Sequence, residues 1–159
     1  MTSAALRLSL VEGPDADVEP IVPRLAPPYP SAIHPAAAEV ERESVAWLRS
    51  FGLGETRREA AILAGGRFAW LAARAYPHAP IARLRVVADF VTWAFLFDER
   101  CEGAPRGDRD AVDQLCAAVI GSCAGAAVSH PAPLVRAFAD LRRRALDELG
   151  AVAGAGFVT

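Results

Sequence analysis

A chain of 159 residues, 53% of them hydrophobic, is long enough for one compact core and too short for two ordinary domains. Its net charge of -2, with arginines scattered among acids, lacks the basic footprint that nucleic-acid binding requires. Three cysteines (Cys101, Cys116 and Cys123) with no Cys-x-x-Cys pair argue against a disulfide framework or a zinc site, and leave reduced, mostly buried thiols as the expectation.

The first twenty residues carry Glu12, Asp15, Asp17 and Glu19 and show no basic region followed by an apolar core. They read as neither a signal nor a transit peptide, and residues 1–20 are expected to be a flexible segment. Every apolar run is interrupted by Arg, Asp or Glu before it reaches the length of a membrane span, so a soluble, cytoplasmic protein is expected. Residues 13–35 hold most of the twelve prolines, including Pro27-Pro28-Tyr29-Pro30 and His34-Pro35. Without free N–H groups this stretch cannot be a regular helix or a central strand, and it reads as an extended arm.

Helical text follows. A first helix is predicted from about Pro35 to Phe51, with Val40, Ser44, Trp47, Leu48 and Phe51 on one side, ending at Gly52 and Gly54. Thr56 followed by Glu59 resembles a capping box and opens a second helix that stops at Tyr76-Pro77. Gly65-Gly66 inside it should weaken or bend the helix. Pro80 sits in the first turn of a third helix reaching about Cys101, in which Ile81, Leu84, Ala88, Val91, Ala94 and Phe95 recur at steps of three and four. Gly103 to Gly107 form a loop. A fourth helix starts at Asp108 or Asp110 and runs to about Cys123. Pro133 opens an arginine-rich fifth to about Leu149, whose Arg142-Arg143-Arg144 reads as a solvated face. Residues 150–159 look like a frayed tail. No strand pattern appears, so the fold class is all-α, with about five helices after the proline-rich arm.

The third helix carries the chemistry. Asp98 and Glu102, four residues apart, project from one face about a turn apart, while Glu99 is rotated away. Phe95, Ala94 and Val91 lead up to them as an apolar stripe. Like charges so placed repel unless a cation lies between them, and Mg²⁺ with its oxygen ligands, water and phosphates suits such a rim. An acidic rim over a greasy channel fits metal-assisted departure of diphosphate from an apolar substrate. The quadrupole of an aromatic such as Phe95 could stabilise the resulting cation. Taken alone, the same cluster near a helix end also fits a solvated tip.

The text around the cluster narrows the choice. Phe95-Leu96-Phe97-Asp98-Glu99-Arg100-Cys101-Glu102-Gly103 resembles the metal-binding segment of the bacterial class I terpene synthases, the pentalenene-synthase-like sesquiterpene cyclases, in which an aromatic-rich helix runs into an Asp-Asp-x-x-Asp motif. His34-Pro35, Trp47 to Leu53, Leu71 to Ala79 and Pro133 to Leu141 resemble family segments in the same order, so the likeness covers roughly residues 21–145.

The resemblance implies residues 21–149 to be the amino-terminal half of a class I terpenoid synthase domain, with 150–159 a non-family tail. It implies Mg²⁺ as cofactor and an isoprenyl diphosphate substrate, farnesyl diphosphate first. Asp98, Glu99 and Glu102 take the metal positions, with Glu in place of Asp at the last two, and Phe95, Val91 and Ala94 line the substrate cavity. The family's later Asn/Ser/Glu metal triad, its diphosphate-sensing arginine and its terminal Arg-Tyr pair have no counterpart here. The expectation is therefore a truncated chain, inactive alone. The alternative is a non-catalytic helical remnant or protein-binding module that self-associates through an exposed apolar face.

Overall fold

The computed structural model describes residues 30–103, 109–124 and 132–155. The chain divides into two units, Met1–Pro30 and Ser31–Thr159, and all described helices belong to the second. Most of the proline-rich arm, residues 104–108 of the loop and residues 156–159 lie outside the described residues. The described secondary structure is entirely helical, confirming the all-α class: α1 (Ala37–Ser50), α2 (Arg57–Gly66), α3 (Phe68–Ala75), α4 (Ile81–Glu102), α5 (Arg109–Cys123) and α6 (Pro133–Ala155).

Six helices stand among the described residues where about five were expected, because the second breaks in two. Arg67 takes a left-handed conformation (φ 46°, ψ 46°) directly after Gly65-Gly66. A left-handed residue with a side chain is unfavourable by roughly 1–2 kcal/mol, and three features offset it. The Arg67 guanidinium lies 4.3 Å from the centre of the Trp70 ring. A Glu41 carboxylate oxygen on α1 accepts from the Ala69 N–H at 2.9 Å, capping the new helix from outside. Finally, Gly66 carries no Cβ, which would collide with the Phe68 ring at 2.1 Å. The predicted capping box at α2 is present: Glu59 N–H donates to the Thr56 hydroxyl at 3.2 Å, and the Glu59 carboxylate accepts from the Thr56 N–H.

The turn between α1 and α2 needs Gly54, whose φ is +78° and whose missing Cβ would meet Leu63 at 2.5 Å. His34 locks the entry to α1. Its Nδ1 accepts from the Ala36 N–H and its Nε2 donates to the Ala79 carbonyl, each at 3.1 Å.

Two apolar clusters hold the helices together, and α4 runs through both. Small residues dominate the first, where Ala37 and Val40 of α1 and Ala69, Ala72 and Ala73 of α3 meet Leu84 and Ala88 of α4. Their size lets the three helix backbones approach closely. The second cluster joins Leu48, Leu53, Leu63 and Phe68 to Trp93, Leu96, Leu134 and Ala137. The Trp93 indole N–H donates to the Leu134 carbonyl at 2.9 Å, satisfying the ring's polar edge inside the core.

Arg144 corrects the reading of a solvated arginine face. It reaches from α6 to the buried Asp89 at 2.7 Å and to Asp140 at 2.9 Å, while the Trp47 indole N–H donates to Asp140 at 3.0 Å. Arg143 alongside is exposed and pairs with Asp140 and Asp147. Another difference lies at the end of α6, which continues to Ala155 through residues expected to fray from 150 onward. Extending an existing helix adds one hydrogen bond per residue ordered, which carries α6 through Ala151 and Ala153 despite Gly150 and Gly154. Cys101 and Cys116 are half-buried and Cys123 is exposed, so the free thiols are less buried than expected.

Candidate active site

Helix α4 spans 22 residues, about 33 Å at 1.5 Å per residue, and its core-facing side is set by Leu84, Ala88, Asp89, Thr92, Trp93 and Leu96. That register decides where every candidate residue falls. Asp98 and Glu102 are both exposed and lie on the same flank. Neither takes part in an ion pair or hydrogen bond among the described residues. Below them Phe95 is 45% exposed, with one ring face stacked on Phe68 at 4.4 Å. Val91 and Ala94 are half-buried and pack against the second core cluster. The series Val91, Phe95, Asp98, Glu102 therefore forms one stripe along α4, apolar in its first half and acidic in its second.

Glu99 faces a different way. Its carboxylate forms an ion pair with the Arg58 guanidinium of α2. Next to it, Arg100 reaches Glu59 of the same α2 turn at 2.8 Å. Burial pulls the Glu59 carboxyl upward, but hydrogen bonds from Arg100 and Thr56 outweigh it and leave it below the ordinary carboxylate value. These two cross-pairs sit at the rim of a cleft of about 550 Å³ floored by Leu53, Leu96, Leu115 and Leu134. Of the six predicted site residues, only Glu99 borders that cleft. Asp98, Glu102, Phe95, Val91 and Ala94 do not line that cleft, and Asp98, Glu102 and Phe95 are exposed.

No group of three or more His, Cys, Asp or Glu side chains converges as a ready metal cage among the described residues. Among the described residues Asp98 and Glu102 have no ion-pair partner, whereas Glu99 pairs with Arg58. That suits Mg²⁺, which is commonly held by one or two carboxylates and completes its shell with water and substrate phosphates. On α4, burial and the adjacent Cys116 thiol push the Cys101 thiol upward, with a smaller contribution from Asp98, so this cysteine is a poor nucleophile.

Sequence reasoning missed Arg58. The capping box made Glu59 visible as a helix-start residue, but its second bond, to Arg100, carried no sequence signal. No helix of the described residues is long and apolar enough to cross a membrane.

No protein-family model matches the chain. Individual proteins do. It is 37% identical over 139 residues to bonnadiene synthase of Allokutzneria albata, a match covering 80% of this chain and 38% of that protein. Against pentalenene synthase of Streptomyces exfoliatus the identity is 38% over 122 residues, covering 74% and 35%. Against 10-epi-cubebol synthase of Sorangium cellulosum it is 34% over 122 residues, covering 74% and 38%. Among solved structures, linalool/nerolidol synthase from Streptomyces clavuligerus, in complex with 2-fluorogeranyl diphosphate, superposes with a TM-score of 0.57 at 28% identity. That match covers 75% of this chain and 37% of the other. The chain thus spans little more than a third of the length of the relatives it matches. Its helical fold and its likeness to several differently named synthases agree: the chain belongs to the bacterial class I terpene synthase family.

Proposed function

We propose that this chain supplies the first acidic motif of a Mg²⁺-dependent terpene cyclase, in which an isoprenyl diphosphate, farnesyl diphosphate foremost, is ionised and cyclised. The observation that carries this reading is the α4 stripe, where two carboxylates without an ion-pair partner among the described residues top an aromatic and aliphatic row. The names of several relatives support the substrate, among them a (+)-T-muurolol synthase described as farnesyl diphosphate cyclizing.

Asp98 and Glu102 would hold the metal. When bound there, Mg²⁺ supplies charge neutralisation for the departing diphosphate. The chain's own residues do the rest. Phe95 offers the open face of its ring to positive charge developing in the substrate, at roughly 0.5–2 kcal/mol. Val91 and Ala94 supply apolar wall and keep water from the reacting carbon. Residues 21–149 act as the motif-bearing part of the catalytic domain, and the chain by itself is inactive, because the described residues leave the stripe open to solvent.

The test is a chimera in which this chain replaces the matching third of a pentalenene synthase, incubated with farnesyl diphosphate and Mg²⁺ and assayed for terpenes by gas chromatography. Product is expected from the chimera and not from the isolated chain, with at least a hundredfold loss in Asp98→Asn, roughly the worth of one strong electrostatic contact in a reaction of this kind. Equal product from the Asp98→Asn chimera would end the assignment.

A second reading has an observation of its own. Leu71, Phe90, Phe95, Ile120 and Leu149 are all large, apolar and about half exposed or more. Exposure on this scale favours a binding module or self-association. Sedimentation velocity decides: a monomer across a wide concentration range counts against it.

A further inference from the structure

We infer that Arg58 and Glu59, in the first turn of α2, are positioning residues for the Asp98–Glu102 pair: they brace the last turn of α4 through Glu99 and Arg100, and Glu99 is a strut, not a metal ligand. The inference rests on the reading of Asp98 and Glu102 as metal ligands.

The pattern is a charge cross. An Arg-Glu step on α2 meets a Glu-Arg step on α4, with Arg58 on Glu99 and Arg100 on Glu59. Successive residues of a helix are rotated by about 100°, so Glu99 and Arg100 point to α2 only when Asp98 and Glu102 point elsewhere. Committing the middle pair fixes the azimuth of the outer pair. The need for a brace follows from electrostatics. Three acids crowd the carboxy-terminal turn of α4, where the helix dipole is already negative and the last carbonyls lack helical partners. Glu99 is only 23% exposed and Glu59 12%, so both struts are anchored on their acidic ends.

Gly103 is shaped to the same end. A Cβ there would come 2.8 Å from the Glu99 carbonyl, 3.5 Å from the Glu99 carboxylate and 3.9 Å from the Arg58 guanidinium carbon. The bare backbone leaves the Arg58–Glu99 pair its room. Leu63 and Ile62 tie α2 to the apolar cluster that holds Trp93 and Leu96, and the two ion pairs add a polar tie at the carboxy-terminal turn of α4.

The experiment uses the chain as it is, with Mn²⁺ as the probe metal, titrated by the loss of the free-ion electron paramagnetic resonance signal. Hydrogen exchange of the 98–103 amides is followed in parallel. Arg58→Glu is expected to weaken Mn²⁺ binding roughly three- to fivefold, in line with losing one well-placed pair, and to speed exchange in that turn. The swap Arg58→Glu with Glu99→Arg should restore both to within about twofold, although it removes a carboxylate from the motif. Restored exchange without restored Mn²⁺ binding would make Glu99 a ligand and overturn the inference, as would an Arg58→Glu chain that matches the unaltered one in both readouts. Loss of the metal reading looks different: Mn²⁺ then fails to bind, or binds equally to Asp98→Asn, whatever the exchange data show.

Discussion

Replacing Arg144 by alanine removes the cation that pairs with the buried Asp89 carboxylate. Asp89 has a side chain just 6% exposed, and among the described residues Arg144 at 2.7 Å is its ion-pair partner. Asp140 is better provided, since it keeps Arg143 and the Trp47 indole. Breaking a buried pair by deleting one partner costs about 3–5 kcal/mol. Arg144 is itself 25% exposed, which places the loss near 3 kcal/mol, a large share of the 5–15 kcal/mol typical of a domain. The Arg144 guanidinium also lies 4.9 Å from the centre of the Trp47 ring, so some packing goes with it.

The loss should depend on pH, and its sign is set by Asp89. Burial holds this carboxyl above its ordinary value, while the adjoining Ser44 hydroxyl and the Arg144 charge pull it back. For an acid whose folded value is raised, the stabilising contribution is complete below the unfolded value and disappears as pH climbs through the folded one. Without Arg144 the folded value rises further, so the variant should be hurt more at pH 8 than at pH 5. The difference should approach about 1.4 kcal/mol for each pH unit over which only the unfolded state is ionised. Urea unfolding followed by circular dichroism at both pH values measures this. A loss under about 1 kcal/mol at pH 8, or the same loss at both values, would refute the reasoning. Asp89→Asn in the Arg144→Ala background should recover part of the loss at pH 8, since the buried charge is then gone.

Two smaller perturbations test the fold around the site. Glu41→Ala should cost about 1 kcal/mol by uncapping α3 and should expose the Ala69 amide to faster hydrogen exchange, whereas Glu41→Gln keeps most of the cap. Trp93→Phe should cost about 1–3 kcal/mol in a thermal melt by leaving the Leu134 carbonyl without its indole donor, with little change in helix content.

Much of this molecule was legible residue by residue. The bounds of α1, α4 and α5 follow from apolar spacing, from Gly52 and Gly54 after the first helix, and from Pro80 before the fourth. The capping box at Thr56 and Glu59 formed as written, because a cap involves only residues three apart. The grouping of Asp98 with Glu102 needed nothing beyond helical geometry. What failed were readings that required a partner from afar. Arg144 was assigned to water because sequence shows its neighbours on α6, not Asp89, 55 positions earlier. The break at Arg67 was half visible in Gly65-Gly66, but its stabilising cap comes from Glu41, 28 positions back.

Glu99 shows the same division within one motif. Spacing alone puts three acids together, and only the placement of α2 against α4 separates the one bound to Arg58 from the two without an ion-pair partner among the described residues. Periodicity, caps and turn residues act over one or two turns of chain, so sequence by itself determined the helices and which side chains share a flank. Which flank meets which partner depends on the packing of elements 40 or more residues apart, such as Arg100 with Glu59. That is a property of the assembled core, and only the tertiary structure decided it.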